Sequence, residues 1–279
     1  RYSSITVDSN GIVHIAHYDS TNGALKHASN SSGDWVTEIV DAGPSVGRYA
    51  CIAVDKADKL HISYDDAANS DLKYATGNWG NWTLKTVDSD GDVGQYSSIA
   101  LEDDGHAHIS YYDATNVSPK YASNVSENWV PEAVDSADSG GTYTSIDVDG
   151  DGYAHISYHA WFLDESDPDA PTYTAYLRYA TNVSGGWARQ NVESSEQDSD
   201  LGLYTSIFVV GSVLTQQVHI SYLGADRILC YAEYGIHHPP DPTPDWKKQK
   251  IDECRAVGTY TSLALDSADD VHISYVDQS

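Results

Sequence analysis

The chain has 279 residues, enough for one large domain or two ordinary ones with a substantial core. Its 42 acidic against 15 basic residues leave a formal charge of −27, which repels phosphate backbones and anionic lipid and so disfavours nucleic-acid and membrane-surface partners. No apolar run approaches the ~20 residues that insert across a bilayer, while 21 Tyr and 7 Trp beside 2 Phe and no Met describe an all-β protein.

Taken from the first residue onward, one unit recurs six times. Tyr2, Tyr49, Tyr96, Tyr143, Tyr204 and Tyr260 open successive copies. A histidine in HISY or HIAH follows twelve residues later in five of them and fifteen later in the fifth: His14, His61, His108, His155, His219 and His272. The copies span approximately 1–41, 48–88, 95–135, 142–193, 203–252 and 259–279. The third copy shows the grammar. YSSIALE (96–102) alternates as a strand, EDDG turns, and HAHISYYD (106–113) is a second strand. PKYAS (119–123) is a third strand and WVPEAV (129–134) a fourth. Short period-2 segments between Gly/Asn/Asp turns, four to a unit of 40–50 residues, are the mark of a propeller blade. Third strands recur at 25–29, 72–76, 119–123, 177–181 and 229–233, and fourth strands open at Trp35, Trp82, Trp129, Trp187 and Trp246. The sixth copy stops after HISYVDQS. The expected architecture is therefore a single all-β domain over 1–279, a six-bladed β-propeller of four-stranded antiparallel blades whose sixth blade has two strands. Such a blade leaves an edge that upstream chain or a neighbouring subunit would cover, and the abrupt start at Arg1 within a repeat suggests a longer polypeptide.

The turns between third and fourth strands read SNSSGDW (29–35), TGNWGNW (76–82), SNVSENW (123–129) and TNVSGGW (181–187). With Ser29, Gly33 and Trp35, or Thr181, Gly185 and Trp187, they resemble the Asp-box (BNR) turn of sialidase-type propellers, and the whole chain is similar to repeat propellers of secreted and cell-surface bacterial or archaeal proteins. The Asp is missing here and the Trp comes one residue early. The resemblance implies a propeller fold, and it does not carry over a sialidase site: six scattered arginines form no cluster for a substrate carboxylate.

Repetition argues against chemistry at the recurrent residues. Each HISY histidine reads as a scaffold hydrogen-bonding group, and the cations Lys26, Lys73, Lys120 and Arg178 as partners for the second-strand acids Asp19, Asp66 and Asp113. In the fifth copy that cation is Cys230. Departures from the repeat are better ligand candidates: Trp79, and the fourth-copy insertion 159–176 with His159, Trp161, Asp164, Glu165, Asp167 and Asp169, expected to lean over the channel mouth. His237 and His238 lie in a Pro-stiffened loop of the fifth copy. The turns DSDGDVG (Asp88, Asp90, Asp92) and DVDGDG (Asp147, Asp149, Asp151) space carboxylates as Ca²⁺ ligands, although neither is an EF-hand loop. Cys230 and Cys254 flank one hairpin and are expected to bridge if they project the same way. Cys51 fills a serine slot.

Five sequons, at Asn30, Asn81, Asn116, Asn124 and Asn182, together with the acidity, point to an extracellular or cell-surface glycoprotein. The function expected is non-catalytic: a structural or adhesive module of a surface layer, sheath or filament, touching neighbouring subunits or surface glycans. Its first alternative is a carbohydrate-binding, lectin-like propeller. Its second is a polysaccharide-active hydrolase or lyase with an acidic site at the channel mouth.

Overall fold

Alternating side chains and tight Asp/Gly turns fold each repeat into an antiparallel meander. This computed structural model describes residues 2–136, 139–166, 172–196, 198–235, 245–254 and 257–277. The first meander is β1 (Ser3–Val7), β2 (Val13–Asp19), β3 (Ala24–Ser29) and β4 (Val36–Asp41). The second is β5 (Val46–Val54), β6 (Leu60–Asp66), β7 (Asp71–Asn78) and β8 (Asn81–Asp88); the third is β9 (Val93–Leu101), β10 (Ala107–Asp113), β11 (Ser118–Ser123) and β12 (Val130–Ala133). The fourth is β13 (Ser139–Val148), β14 (Ala154–Asp164), β15 (Thr172–Thr181) and β16 (Ala188–Ser195). The fifth is β17 (Ser206–Val210), β18 (Gln217–Leu223), β19 (Leu229–Gly235) and β20 (Lys247–Asp252), and the sixth is β21 (Val257–Leu265) with β22 (Val271–Asp277). Five sheets of four strands, paired in sequence order, and one of two strands match the expected blades. The chain divides into two compact units, residues 1–133 and 134–279, the first holding blades one to three and the second the rest.

Within each unit the blades are held by the faces that alternation makes apolar. One cluster joins Leu25 and Val40 of the first blade to Ile52, Ile62 and Tyr64 of the second. Another joins Leu72 and Val87 to Ile109 and Tyr111. A third, in the second unit, joins Leu177 and Val192 to Ile220 and Tyr222. Serine hydroxyls on first strands reinforce the stacking by accepting the next blade's backbone N–H: Ile52 donates to Ser4 at 3.2 Å and Ile207 to Ser145 at 3.1 Å.

The opening tyrosines hold an unusual backbone. All six lie near φ +50°, at +52°, +49°, +53°, +55°, +54° and +54°, a region that costs a bulky residue energy and persists where the surroundings impose it. The register shift between Arg48 and Cys51 places the second of them at a β-bulge. Gly47 stands two residues before that tyrosine because a Cβ there would lie 2.7 Å from the Leu25 Cα.

Two expectations change. The fourth-blade insertion continues the strands, with pairing running unbroken from His155–Thr181 out to Asp164–Thr172, so it forms an extended two-stranded ribbon rather than a draped loop. Cys230 and Cys254 are both free thiols, one buried in β19 and the other exposed beyond the end of β20, so no disulfide joins them. Cys51 is half-buried.

Candidate functional site

The repeat builds one polar slot between consecutive blades. In blades two to four the tyrosine of HISY is fully buried and directs its hydroxyl at the acid that closes the preceding blade's fourth strand: Tyr64 donates to Asp41 at 2.8 Å, Tyr111 to Asp88 at 2.7 Å and Tyr158 to Asp135 at 2.9 Å. A third-strand cation, facing that tyrosine across the ladder, binds the same carboxylate. Lys73 reaches Asp41 at 2.5 Å, Lys120 reaches Asp88 at 2.5 Å, and Arg178 reaches Asp135 at 2.8 Å. The second-strand acids Asp66 and Asp113, expected to be the main partners, stand further off at 3.8 Å. In the first blade the expected pair does form, Lys26 to Asp19 at 3.2 Å. Burial would push the Asp88 carboxyl up, but the Lys120 and Tyr111 hydrogen bonds outweigh it and hold the group below the usual carboxylate range.

The fifth blade keeps two parts of this slot and loses two. Tyr222 still donates to the acid of the preceding blade, now Glu193. The cation is replaced by Cys230, and the second-strand acid by Gly224, against whose Cα the Cys230 sulfur packs: a Cβ built there would sit 2.4 Å from it. Beside Glu193, Tyr222 and Cys230 there is a cavity of about 300 Å³, lined also by Asp226, Ile228 and Lys250 among others. Lys250 pairs with Cys230 across β19 and β20, a position held by Thr86, Ala133 and Asn191 in blades two to four. Among the described residues no ion pair joins Lys250 to Glu193, whose one hydrogen-bond partner is Tyr222. Burial pushes the Cys230 thiol up to about 11, so it stays neutral in the cavity wall.

The HISY histidines are structural. His61, His108, His155 and His219 each set Nδ1 2.6 Å from a third-strand tyrosine hydroxyl, on Tyr74, Tyr121, Tyr179 and Tyr231. In three of them Nε2 faces the acid of the first hairpin turn: Asp55 at 3.2 Å, Glu102 at 2.8 Å and Asp149 at 3.4 Å. An Nε2–H donated to that acid leaves Nδ1 to accept from the phenol. Burial lowers the pKa of all four.

The other candidates fall in separate places. His159 is buried, its Nδ1 2.8 Å from the Leu201 carbonyl, and stacks on Trp161 at 5.7 Å. Asp164 and Glu165 lie further out, at the end of β14, where Asp164 accepts the Ser166 N–H. Asp167 and Asp169, like His237 and His238, lie outside the described residues. Trp79 sits in the first unit at the β7–β8 turn, exposed and edge-on to His27. Neither acidic turn gathers its carboxylates. Asp88 points inward to Tyr111 and Lys120, Asp147 accepts the Val209 N–H at 2.7 Å, and Asp151 accepts that of Val213 at 3.0 Å. Among the described residues the ligand-type atoms that do converge belong to Glu102, Asp104 and His106. Three of the sequon asparagines serve the backbone, the side-chain oxygens of Asn30, Asn124 and Asn182 accepting the N–H of Val13, Ala107 and Ala154. Asn116 instead donates its side-chain amide to Asp113, and Asn81 lies exposed at the start of β8.

Sequence reasoning missed Glu193, Tyr222 and the cavity. A signal was present: the fourth strands end VD, VD, VD, VE and ID at 40–41, 87–88, 134–135, 192–193 and 251–252, and only the fourth copy lengthens the acid.

No family model and no curated protein matches this chain. Among solved structures, it is similar to a mutant of the Aleuria aurantia lectin in complex with Fucα1-6GlcNAc, at 12% identity and a TM-score of 0.63, over 99% of this chain and 88% of that one. It is similar to the SapL1 lectin in complex with α-methyl fucoside, at 14% identity and a TM-score of 0.57, over 99% and 88% of the two chains. It also resembles the Trypanosoma rangeli sialidase in complex with the inhibitor DANA, at 11% identity and a TM-score of 0.55, over 99% of this chain and 52% of that one. At such identities the likeness establishes the fold, and the fold is a β-propeller.

Proposed function

We propose that this protein is a carbohydrate-binding, lectin-like β-propeller that engages glycans outside the cell. The observation that carries the reading is the fifth-blade cavity. It presents an acceptor carboxylate (Glu193) and ammonium donors (Lys248, Lys250) beside the apolar Ile228 and Ala225. Sugar hydroxyls need both donors and acceptors, and the ring's C–H face needs an apolar wall. A volume of about 300 Å³ is at the small end for a ligand pocket and suits a single sugar residue. The lectin neighbours, named with fucosides, support a glycan as ligand class over the purely structural role that repetition and acidity suggest. The acidity and the sequons support an extracellular setting, and surface glycans are the expected partners, with neighbouring subunits secondary.

The test is a titration of α-methyl fucoside and a panel of methyl glycosides by calorimetry. At least one should saturate the wild type, and Glu193→Gln should weaken it about 10- to 100-fold, the worth of a hydrogen bond to a charged group. A panel that shows no saturable binding, or binding indifferent to Glu193→Gln, overturns the assignment.

A further inference from the structure

We propose that the fifth-blade cavity recognises a protonated amine, and that the glycan it takes is an amino sugar whose ammonium docks on Glu193. The second half rests on the glycan-binding reading above; the first half rests on the repeat.

Three blades show what the slot is built to hold. In each, a carboxylate receives a buried tyrosine hydroxyl on one side and a cation from the third strand on the other, at 2.5 Å for Lys73 and Lys120 and 2.8 Å for Arg178. The fifth blade retains the carboxylate and the tyrosine, in the Glu193–Tyr222 pair. It deletes the cation, and the deletion is not refilled: Cys230 is short and its thiol stays neutral. Gly224 replaces the second acid, and the Cys230 sulfur packs against it. What remains is the negative half of an ion pair facing a cavity of about 300 Å³. Glu193 is half-buried, and a half-buried carboxylate gains more from a cation than a fully exposed one does, because the local dielectric is lower. An incoming ammonium would therefore stand where two other blades place a lysine ammonium and a third its Arg178 guanidinium.

Lys250 is the internal competitor. It occupies the fourth-strand position of Thr86, Ala133 and Asn191, its side chain is exposed, and among the described residues it forms no ion pair with Glu193. Lys248 and Lys250 line the cavity with Asp226, and they are suited to the hydroxyls of the same ligand. The amine-binding point is Glu193 with Tyr222.

The decisive variant is Cys230→Lys, which restores the side chain that blades two and three carry and fills the slot from within. Saturation-transfer NMR and calorimetry at pH 6.5 would compare glucosamine, N-acetylglucosamine, glucose and n-butylammonium on the whole chain. Glucosamine should bind at least about tenfold more tightly than glucose or N-acetylglucosamine, the ratio of one charge-assisted contact. Cys230→Lys should abolish that binding while leaving the thermal midpoint equal or higher, and Cys254→Ser, outside the cavity lining, should bind as wild type. Should Cys230→Lys fail to fold, Glu193→Gln supplies the same test, with loss of the preference for glucosamine expected. Equal binding of the three sugars overturns amine recognition and leaves the glycan reading standing. Binding of n-butylammonium that Cys230→Lys removes, with no sugar bound, supports the amine slot and overturns the glycan half. Glucosamine binding that survives Cys230→Lys, or no binding by any of the four, overturns the proposal outright.

Discussion

Asp65 illustrates how little a residue's type says about its role here. It follows the HISY tyrosine of the second blade, is 2% exposed, and opposes Arg48 across the β5–β6 ladder. Burial pushes its carboxyl up to about 7 from 3.8, with Arg48 pulling the other way and Asp92 and Asp66 adding to the rise. A folded value above the unfolded one means the native state holds the proton more tightly. The resulting stability is present in full below about pH 4 and is lost as pH rises through about 7. Asp65→Asn should erase that slope and leave the variant more stable than wild type above pH 7, which urea midpoints at pH 5 and pH 8 would reveal. Equal midpoint differences at the two pH values would refute it. The histidines were correctly legible as scaffold, because six copies in one place cannot each be a unique site. Their partners were not legible: the third-strand tyrosine, 13 residues on for His61 and His108, 24 for His155 and 12 for His219, is itself part of the repeat, but nothing local says the two side chains share a face of the same sheet.

The slot between blades belongs to a larger unit than any strand. Lys120 and Asp88 are 12% and 4% exposed as side chains, so removing the lysine strands a buried carboxylate. Lys120→Ala should cost about 3–5 kcal/mol, while Lys26→Ala, where the Lys26–Asp19 pair is more open at 24% and 15%, should cost about 1 kcal/mol or less. Comparable losses in chemical denaturation would mean the slot does not carry this load. The sequence pointed to the nearest acids, Asp66 and Asp113, as partners because they sit a few residues from the lysines. The stronger partners, Asp41 and Asp88, lie 32 residues upstream in the preceding blade, and proximity along the chain has no bearing on that choice. The fourth-blade insertion shows the same reach beyond local rules: its second and third strands run on in register from His155–Thr181 out to Asp164–Thr172.

Across the molecule, protection should follow blade completeness. β10 is buried at six of its seven positions, while β22 is exposed at six of seven and pairs with β21 alone. Amides of Val271–Asp277 should therefore exchange with solvent well before those of Ala107–Asp113, since few buried contacts oppose local opening; hydrogen-exchange mass spectrometry would measure it, and equal protection would refute it. The blade count, the strand order and the structural role of HISY all follow from the amino-acid order alone, because alternation and Gly/Asp turns are local rules repeated at a fixed period. The fifth-blade cavity does not follow from it. Cys230 in place of lysine and Gly224 in place of aspartate look like two unrelated lapses in a repeat. Folding packs the Cys230 sulfur against Gly224 and sets Cys230 beside Glu193 of another blade at the wall of a cavity, and an empty volume is a property of packed neighbours and not of any segment of chain.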